Sequence, residues 1–131
     1  MKTSEHLTVS EIYTRKELKA MFKITDSNLN NGVFRPKGHD SIWIFVTKEK
    51  SADRTQYVDE LIGDTLSWDG QTSGRTDPWI VEHRVNGREL LLFYRESRSE
   101  YPGAGFRYEG VFEYVSHMPG HPSHFILRRC T

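Results

Sequence analysis

The feature that most constrains this chain is the pair Asn86-Gly87, which stands between two runs rich in apolar residues. Asn-Gly favours a two-residue type I′ turn, because both residues tolerate a positive φ angle. The pattern therefore predicts a β-hairpin over residues 81–94. In its register Arg84 faces Glu89, and the two would form a cross-strand ion pair.

Other segments predict the remaining strands. Residues 41–47 are apolar on both faces, which is typical of a strand at the centre of a sheet. Residues 65–68, 106–115 and 124–127 have strand composition between turn residues. Residues 56–62 are ambiguous between a strand and a helical turn.

A capping box, Thr14-Arg-Lys-Glu17, predicts a short helix over about residues 15–22. Gly110 inside a strand pattern predicts a bulge. The whole is of the α+β class and mostly β. We expect a curled antiparallel sheet or pseudo-barrel of roughly five to seven strands, with one or two helices at its edge.

Composition limits the class of protein. The 131 residues predict a single domain over 1–131, which can also be a module of a longer protein. Lys and Arg number 18, as do Asp and Glu, which argues against a large non-specific nucleic-acid surface but allows a small cationic site. One cysteine, Cys130, and the lack of a signal peptide or a membrane-length apolar run predict a cytoplasmic protein without membrane contact.

Catalytic signatures are scarce in the sequence. It has no Cys/His spacing typical of a metal site, no Gly-rich phosphate loop before a lysine and no serine in a nucleophile elbow. Nor does it place a carboxylate and a lysine one residue apart on a predicted strand, as a nuclease of that type needs. We therefore expect no cofactor, no metal and no catalytic residue.

A cluster of aromatic and polar residues is the best candidate for a binding site. It consists of Tyr57, Asp59, Trp68, Gln71 and Asp77. A flipped nucleobase needs flat aromatic surfaces around it and hydrogen-bonding groups in its plane. A carboxylate can accept from the amino group of cytosine, and an amide can pair with a base edge. The alternative is that the aromatic residues belong to the core and the polar ones cap turns.

Local positive charge accompanies this cluster. Arg35, Lys37 and His39 lie in a predicted loop over residues 25–40, and Arg75 follows the aromatic segment. We expect these side chains to contact the DNA backbone or a groove. The alternative for the loop is a solvated connection.

An ordered set of motifs resembles a known family. The motifs are Tyr13-Thr-Arg-Lys-Glu-Leu18, Ile44-Phe45-Val46-Thr47, Tyr57-x-Asp59, Leu66-x-Trp68-x-Gly70-Gln71, Gly74-Arg75-x-Asp77-x-x-Ile80, His83, Gly87-x-x-Leu90-x-Leu92-Phe93 and Phe106-x-Tyr108-x-Gly110. Over residues 13–128 the chain is similar to SRA-like (SET- and RING-associated-like) DNA-reading domains of HNH restriction endonucleases of the McrA type. It equally resembles a domain of unknown function appended to restriction-linked helicases. Both groups look like relatives of PUA-type β-barrels.

The resemblance implies a partner and a mode of binding. The partner would be double-stranded DNA carrying a modified base, with 5-methylcytosine or a derivative as the first expectation, flipped into a pocket. Tyr57-x-Asp59 and Trp68-x-Gly-Gln71 would line the pocket, and the segment 74–77 would form its rim. Residues 28–40 and 96–105 are candidates for the loops that enter the DNA, and a fused or partner nuclease would cut.

Two other functions stay open at this stage. One is an RNA-binding or unmodified-DNA-binding module of the PUA type. The other is a small metal-dependent nuclease or hydrolase that uses Asp59, Asp77 and His83. The histidine would share a face with the apolar residues of the predicted hairpin, where a structural role is the more common one.

Overall fold

The fold is seen in a computed structural model that describes residues 2–26, 29, 31–49, 59–71 and 73–130. Its strands are β1 (Ile12–Tyr13), β2 (Val33–Phe34), β3 (Ser41–Thr47), β4 (Glu60–Ile62), β5 (Thr65–Asp69), β6 (Glu89–Arg95), β7 (Phe106–Met118) and β8 (His124–Arg129). Its α-helices are α1 (Arg15–Met21) and α2 (Asp77–Val81). Short 3₁₀ helices span Thr3–His6 and Pro102–Ala104.

All of these strands belong to one eight-stranded sheet. Its order is β2-β3-β6-β7-β8-β5-β4, and β1 pairs with the start of β7. The central pair β3–β6 is parallel, whereas the other pairs are antiparallel. The sheet is therefore mixed rather than antiparallel throughout, and within the described residues it is open, ending at β2 and β4.

The sheet curls around one of its two cores. This inner core joins Val33 of β2 to Leu66 of β5 and Leu127 of β8, although these strands are far apart in the strand order. Such contacts require the ends of the sheet to bend toward each other. Helix α2 adds Ile80 to the same core. The predicted class, mostly β with a curled sheet and few helices, is confirmed.

A second core covers the opposite face of the central strands. Helix α1 contributes Leu18, which packs with Trp43 of β3 and Phe93 of β6. The 3₁₀ helix Thr3–His6 closes this side, since the indole N–H of Trp43 donates to the Thr3 hydroxyl at 2.9 Å. Burial on both faces explains why residues 41–47 carry no polar alternation.

Several local predictions are confirmed. The Thr14 hydroxyl accepts from the backbone N–H of Glu17, whose carboxylate accepts in turn from the N–H of Thr14, as a capping box requires. In the β6–β7 ladder, Leu92 pairs with Gly110 but Phe93 pairs with Tyr108, so one residue bulges there. Gly110 has a φ of 100°, a region that favours glycine.

The predicted hairpin over residues 81–94 is wrong. Its first half is the end of α2 and a series of turns, and only its second half is a strand. Strand β6 is paired with β3 on one edge and with β7 on the other, so no edge is free for residues 81–85. Gly87 still adopts a positive φ of 69°, but in a turn that ends the helical segment.

The ion pair predicted from that register is also absent. Arg84 pairs instead with Glu113 of β7. Glu89 is buried and accepts hydrogen bonds from the hydroxyls of Ser4 and Ser41, both at 2.6 Å. Its carboxylate thus ties the N-terminal 3₁₀ helix to the parallel pair at the centre of the sheet.

Candidate functional site

The segment between β5 and α2, residues 70–76, is held in place by buried polar groups at both ends. At its start, the backbone N–H of Asp69 donates to the Asp59 carboxylate at 2.9 Å. At its end, the Ser123 hydroxyl donates to the Asp77 carboxylate at 2.6 Å. Between them, the N–H of Gly70 donates to the Ser123 carbonyl at 2.9 Å. This polar segment is therefore fixed to strands β4, β5 and β8.

Gly70 allows the close approach that this arrangement needs. A Cβ atom at that position would lie 2.9 Å from Cε2 of Phe125 and 3.2 Å from an Asp77 oxygen. That Asp77 oxygen, Oδ1, is buried and has no hydrogen-bond partner among the residues that the structure describes. A buried acceptor without a partner costs free energy, so this geometry lowers the stability of the folded protein.

A cleft of about 370 Å³ opens on the outer side of this segment. Its walls come from the residues before and in β2 and from the segment leading into α2. The lining residues are Asp26, Asn31, Val33, Phe34, Arg35, Gln71, Ser73, Arg75, Thr76 and Trp79. The cleft therefore combines two guanidinium groups, one indole, side-chain amides and hydroxyls, and one carboxylate.

The guanidinium of Arg35 lies over the indole of Trp79, with 3.8 Å between Cζ and the ring centroid. Trp79 is half-buried and packs against the inner core through α2. Burial lowers the pKa of Arg35, and the positive charge of Arg88 lowers it further. Arg35 nonetheless stays positively charged at neutral pH, because an arginine pKa lies far above 7.

Thr76 is one of the residues that line the cleft. Its side chain is buried, and its hydroxyl oxygen has no hydrogen-bond partner within the described residues. This oxygen is a second buried polar atom without such a partner, besides Oδ1 of Asp77.

The cleft brings together only part of the predicted site. Gln71, Arg35 and Arg75 all line it, as the sequence suggested. Asp59 and Trp68 are buried, and Asp77 lies under the 70–76 segment rather than on the cleft surface. They support the cleft rather than line it.

Trp68 in particular belongs to the inner core. Only 4% of its surface is exposed, and its ring lies 5.6 Å from that of Phe125. Trp68 is therefore a core aromatic residue, which is one of the two interpretations that the sequence left open. Tyr57 lies outside the described residues.

Two of the predicted DNA contacts lie elsewhere. Lys37 is exposed and is not among the residues that line the cleft. His39 borders a different, mostly apolar cleft of about 500 Å³ with His6, Met21, Phe22 and Lys23. The rings of Phe22 and His39 meet edge to face at 5.7 Å.

Sequence analysis missed Trp79 as a lining residue. The predicted hairpin starts at residue 81, two positions after this tryptophan. The contact of Trp79 with Arg35 joins residues 44 positions apart, and local sequence patterns do not show contacts at that separation. The available signal was Asp77-Pro78, because proline in the first turn marks a helix start, and that helix presents the next residue, Trp79.

A cross-strand chain on the outer face of the sheet has the connectivity of a catalytic triad. Ser67 Oγ is 2.8 Å from His124 Nε2, and His124 Nδ1 is 2.8 Å from an Asp69 oxygen. Ser67 sits in a regular strand that is paired on both sides, with β4 and with β8. The strand amides around it are thus used by the ladders rather than aimed at an oxyanion. These side-chain hydrogen bonds join β5 to β8.

His83, the histidine of the nuclease alternative, is also engaged. It is buried, and its Nδ1 lies 2.8 Å from the carbonyl oxygen of Ile80. Burial lowers its pKa, against the raising effect of that hydrogen bond. This environment favours a neutral histidine that stabilises the turn after α2.

A third cleft, of about 390 Å³, lies at the other end of the curled sheet. Its walls include Tyr94, Glu96, Arg107 and Arg129. The Tyr94 hydroxyl donates to Glu96, and Arg129 donates to Glu109 at 2.9 Å. Most of the charge in this cleft is therefore paired internally, unlike that of the first cleft.

No group of three or more His, Cys, Asp or Glu side chains suited to a metal ion occurs in the part of the chain that the structure describes. No helix among those residues is long and apolar enough to span a membrane.

Comparison with known proteins gives a likeness to a solved structure. No protein-family model matches the chain, and no curated protein matches it. Among solved structures, the chain is similar to one described as "Modification dependent TagI restriction endonuclease", with a TM-score of 0.56 and 15% sequence identity. The likeness covers 94% of this chain and 50% of that chain, so this chain spans about half the length of its structural neighbour. At this identity the likeness concerns the fold.

Proposed function

We propose that this chain is a non-catalytic reader of modified DNA that serves modification-dependent restriction. The observation that carries the proposal is its fold, which over 94% of the chain is similar to that of a modification-dependent restriction endonuclease. The expected ligand is a duplex with 5-methylcytosine or a derivative, and the expected mode is flipping of that base out of the stack.

The cleft between β2 and the 70–76 segment supports this proposal by its chemistry. The Gln71 amide can both donate and accept hydrogen bonds at a base edge, and the Trp79 indole in the same cleft carries the Arg35 guanidinium over its face. Arg35 and Arg75 provide positive charge for phosphate groups at the same place. A reader needs these elements side by side.

Cutting is assigned to another domain or protein. This chain spans half of its structural neighbour, whose description as an endonuclease applies to the whole of that protein. A fused or partner nuclease would accordingly act at the site where this chain binds. The proposal therefore expects no turnover from this chain by itself.

Fluorescence anisotropy of labelled duplexes at a stated salt concentration tests the proposal. The duplexes carry cytosine, 5-methylcytosine, 5-hydroxymethylcytosine or N6-methyladenine at one position. We expect one modified duplex to bind at least about tenfold more tightly than the unmodified one. Equal affinity for all four would refute the proposal.

The same assay separates the alternatives. A PUA-type RNA or plain-DNA module would be identified by single-stranded RNA or unmodified DNA that competes better than any modified duplex. A nuclease would be identified by strand cleavage in Mg²⁺ or Mn²⁺ with the chain alone. Gln71→Ala should weaken binding of the preferred duplex, and Ser116→Ala, a change at an exposed position of β7 that does not line the cleft, serves as its control.

A further inference from the structure

We infer that Arg88 acts together with Arg35 and Arg75 as a phosphate clamp beside the cleft, and that Trp79 holds Arg35 in the orientation that the clamp needs. This inference rests on the proposed function and adds the path of the DNA backbone to it. Sequence patterns did not single out Arg88, and the predicted hairpin placed it directly after the turn, at the start of the second strand.

The backbone places Arg35 and Arg88 at one end of the sheet. Val33 of β2 and Leu90 of β6 both point into the inner core. Arg35 follows the last residue of β2 and Arg88 precedes the first residue of β6, and the pairings of Phe34 with Trp43 and of Glu89 with Ser41 place both residues beside the start of β3. Ile42 of β3, which pairs with Leu90, separates the two strands. The electrostatic effect of Arg88 on Arg35 agrees with this proximity.

The arginines of the protein surface differ in their partners. Arg84, Arg107, Arg128 and Arg129 pair with carboxylates. Arg35, Arg75 and Arg88 have no ion pair within the described residues. Asp26 contributes a carboxylate to the cleft wall, and the Arg88 charge helps to lower the pKa of the nearby Asp40 carboxyl. A chain of zero net charge therefore still has cationic groups without an ion pair at and beside this cleft.

The contact with Trp79 leaves the hydrogen-bonding edge of Arg35 available. A guanidinium donates its hydrogen bonds in its own plane, whereas an indole attracts it through its face. Arg35 can therefore keep the contact at 3.8 Å and bind a phosphate at the same time. Holding the side chain in advance reduces the conformational entropy lost on binding. Trp79 is in this respect a positioning residue for Arg35.

The salt dependence of DNA binding tests the clamp. Replacing one phosphate-contacting arginine lowers the slope of log K against log salt by about 1. Arg88→Gln should lower the slope by about 1 on modified and unmodified duplexes alike, without changing the ratio of their affinities. Arg84→Gln is the matched control, because this arginine lies in the same turn but is paired with Glu113. Its slope should equal that of the wild type.

A double-mutant cycle tests the role of Trp79. We expect Arg35→Gln to weaken binding roughly tenfold in the wild type and only about twofold in the Trp79→Leu background. An equal loss in both backgrounds would show that Trp79 does not act through Arg35. Thermal unfolding of each variant reveals any loss of folded protein.

The outcomes separate this inference from the proposed function. An unchanged slope for Arg88→Gln, or an equal drop for Arg84→Gln, would refute the clamp even where modified DNA is preferred. A lowered slope for Arg88→Gln alone supports the clamp even on duplexes without a modification. Failure of the proposed function is recognised differently, by the absence of any preference among the four duplexes.

Discussion

The carboxylate of Asp59 accepts the backbone N–H of Asp69 at 2.9 Å, so the residue before β4 fixes the last residue of β5. Asp59 is only 2% exposed. The contact determines where the segment 70–76 starts and therefore where one wall of the cleft stands. An aspartate predicted to touch a base thus holds the polypeptide that lines the cleft.

Asp59→Ala should destabilise the protein, because it leaves a buried N–H group without an acceptor. We expect a loss of about 1–3 kcal/mol in the free energy of unfolding, measured by urea denaturation. Asp59→Asn retains an acceptor oxygen and should lose less. Equal stability of the alanine variant and the wild type would contradict a supporting role for Asp59.

The two tryptophans near the site should respond differently to removal. Trp68→Ala empties part of the inner core and should cost about 3–5 kcal/mol of stability. Trp79→Ala removes a half-buried ring from the cleft wall, so it should cost less stability and more DNA affinity. Denaturation and anisotropy on the same preparations give both quantities. A stable Trp68→Ala variant would contradict its placement in the core.

Gly70→Ala should disturb the segment on which the cleft depends. The added methyl would meet the ring of Phe125 at 2.9 Å, closer than side-chain atoms normally approach. We expect a loss of about 1–3 kcal/mol from this overpacking, together with weaker DNA binding. Gly32→Ala is a suitable control, since its methyl would meet only a carbonyl oxygen at 3.8 Å.

The stability of the protein should fall as the pH drops through the range where histidine titrates. Burial lowers the pKa of His83 in the folded state, so the unfolded chain binds its proton more readily. The folded state then gains stability as pH rises, and this contribution is complete above the unfolded pKa of about 6.5 and lost below it. Arg84 and Glu113 act on the same ring with opposite signs.

Chemical denaturation between pH 5 and pH 8 measures this dependence, and His83→Gln should flatten it. His121→Gln, which changes an exposed histidine, is the control for general effects of the substitution. An unchanged pH dependence in the His83 variant would show that another group is responsible.

The parts of the fold that the sequence predicted are those fixed by neighbouring residues. Thr14 and Glu17 are three positions apart, so their capping box can form whenever a helix starts at Arg15, whatever the rest of the fold. The apolar run of β3 is long enough to need burial on both faces in any fold. Arg35, Gln71 and Arg75 were predicted as site residues because polar and cationic residues clustered in loops.

The hairpin failed because tertiary pairing outweighed local propensity. The Asn86-Gly87 pair favours a tight turn, but the parallel pairing of β3 with β6 joins residues 48 positions apart along the chain. That pairing and the β6–β7 ladder occupy both edges of β6. The preceding residues therefore stay in α2, where Ile80 fills the inner core. Short-range sequence patterns do not show that the two neighbouring strands compete with residues 81–85 for the edges of β6.

By itself, the sequence determined the content of the molecule: a mostly β chain, one capped helix, a central buried strand and a polar, aromatic segment suited to recognition. Only the tertiary structure decided which of those residues meet. Asp59 and Trp68, which were expected to line the pocket, are buried, and Arg35 lies over the face of Trp79. The physical reason is that burial and cation–π contact depend on distances across the curled sheet, which sequence spacing does not encode.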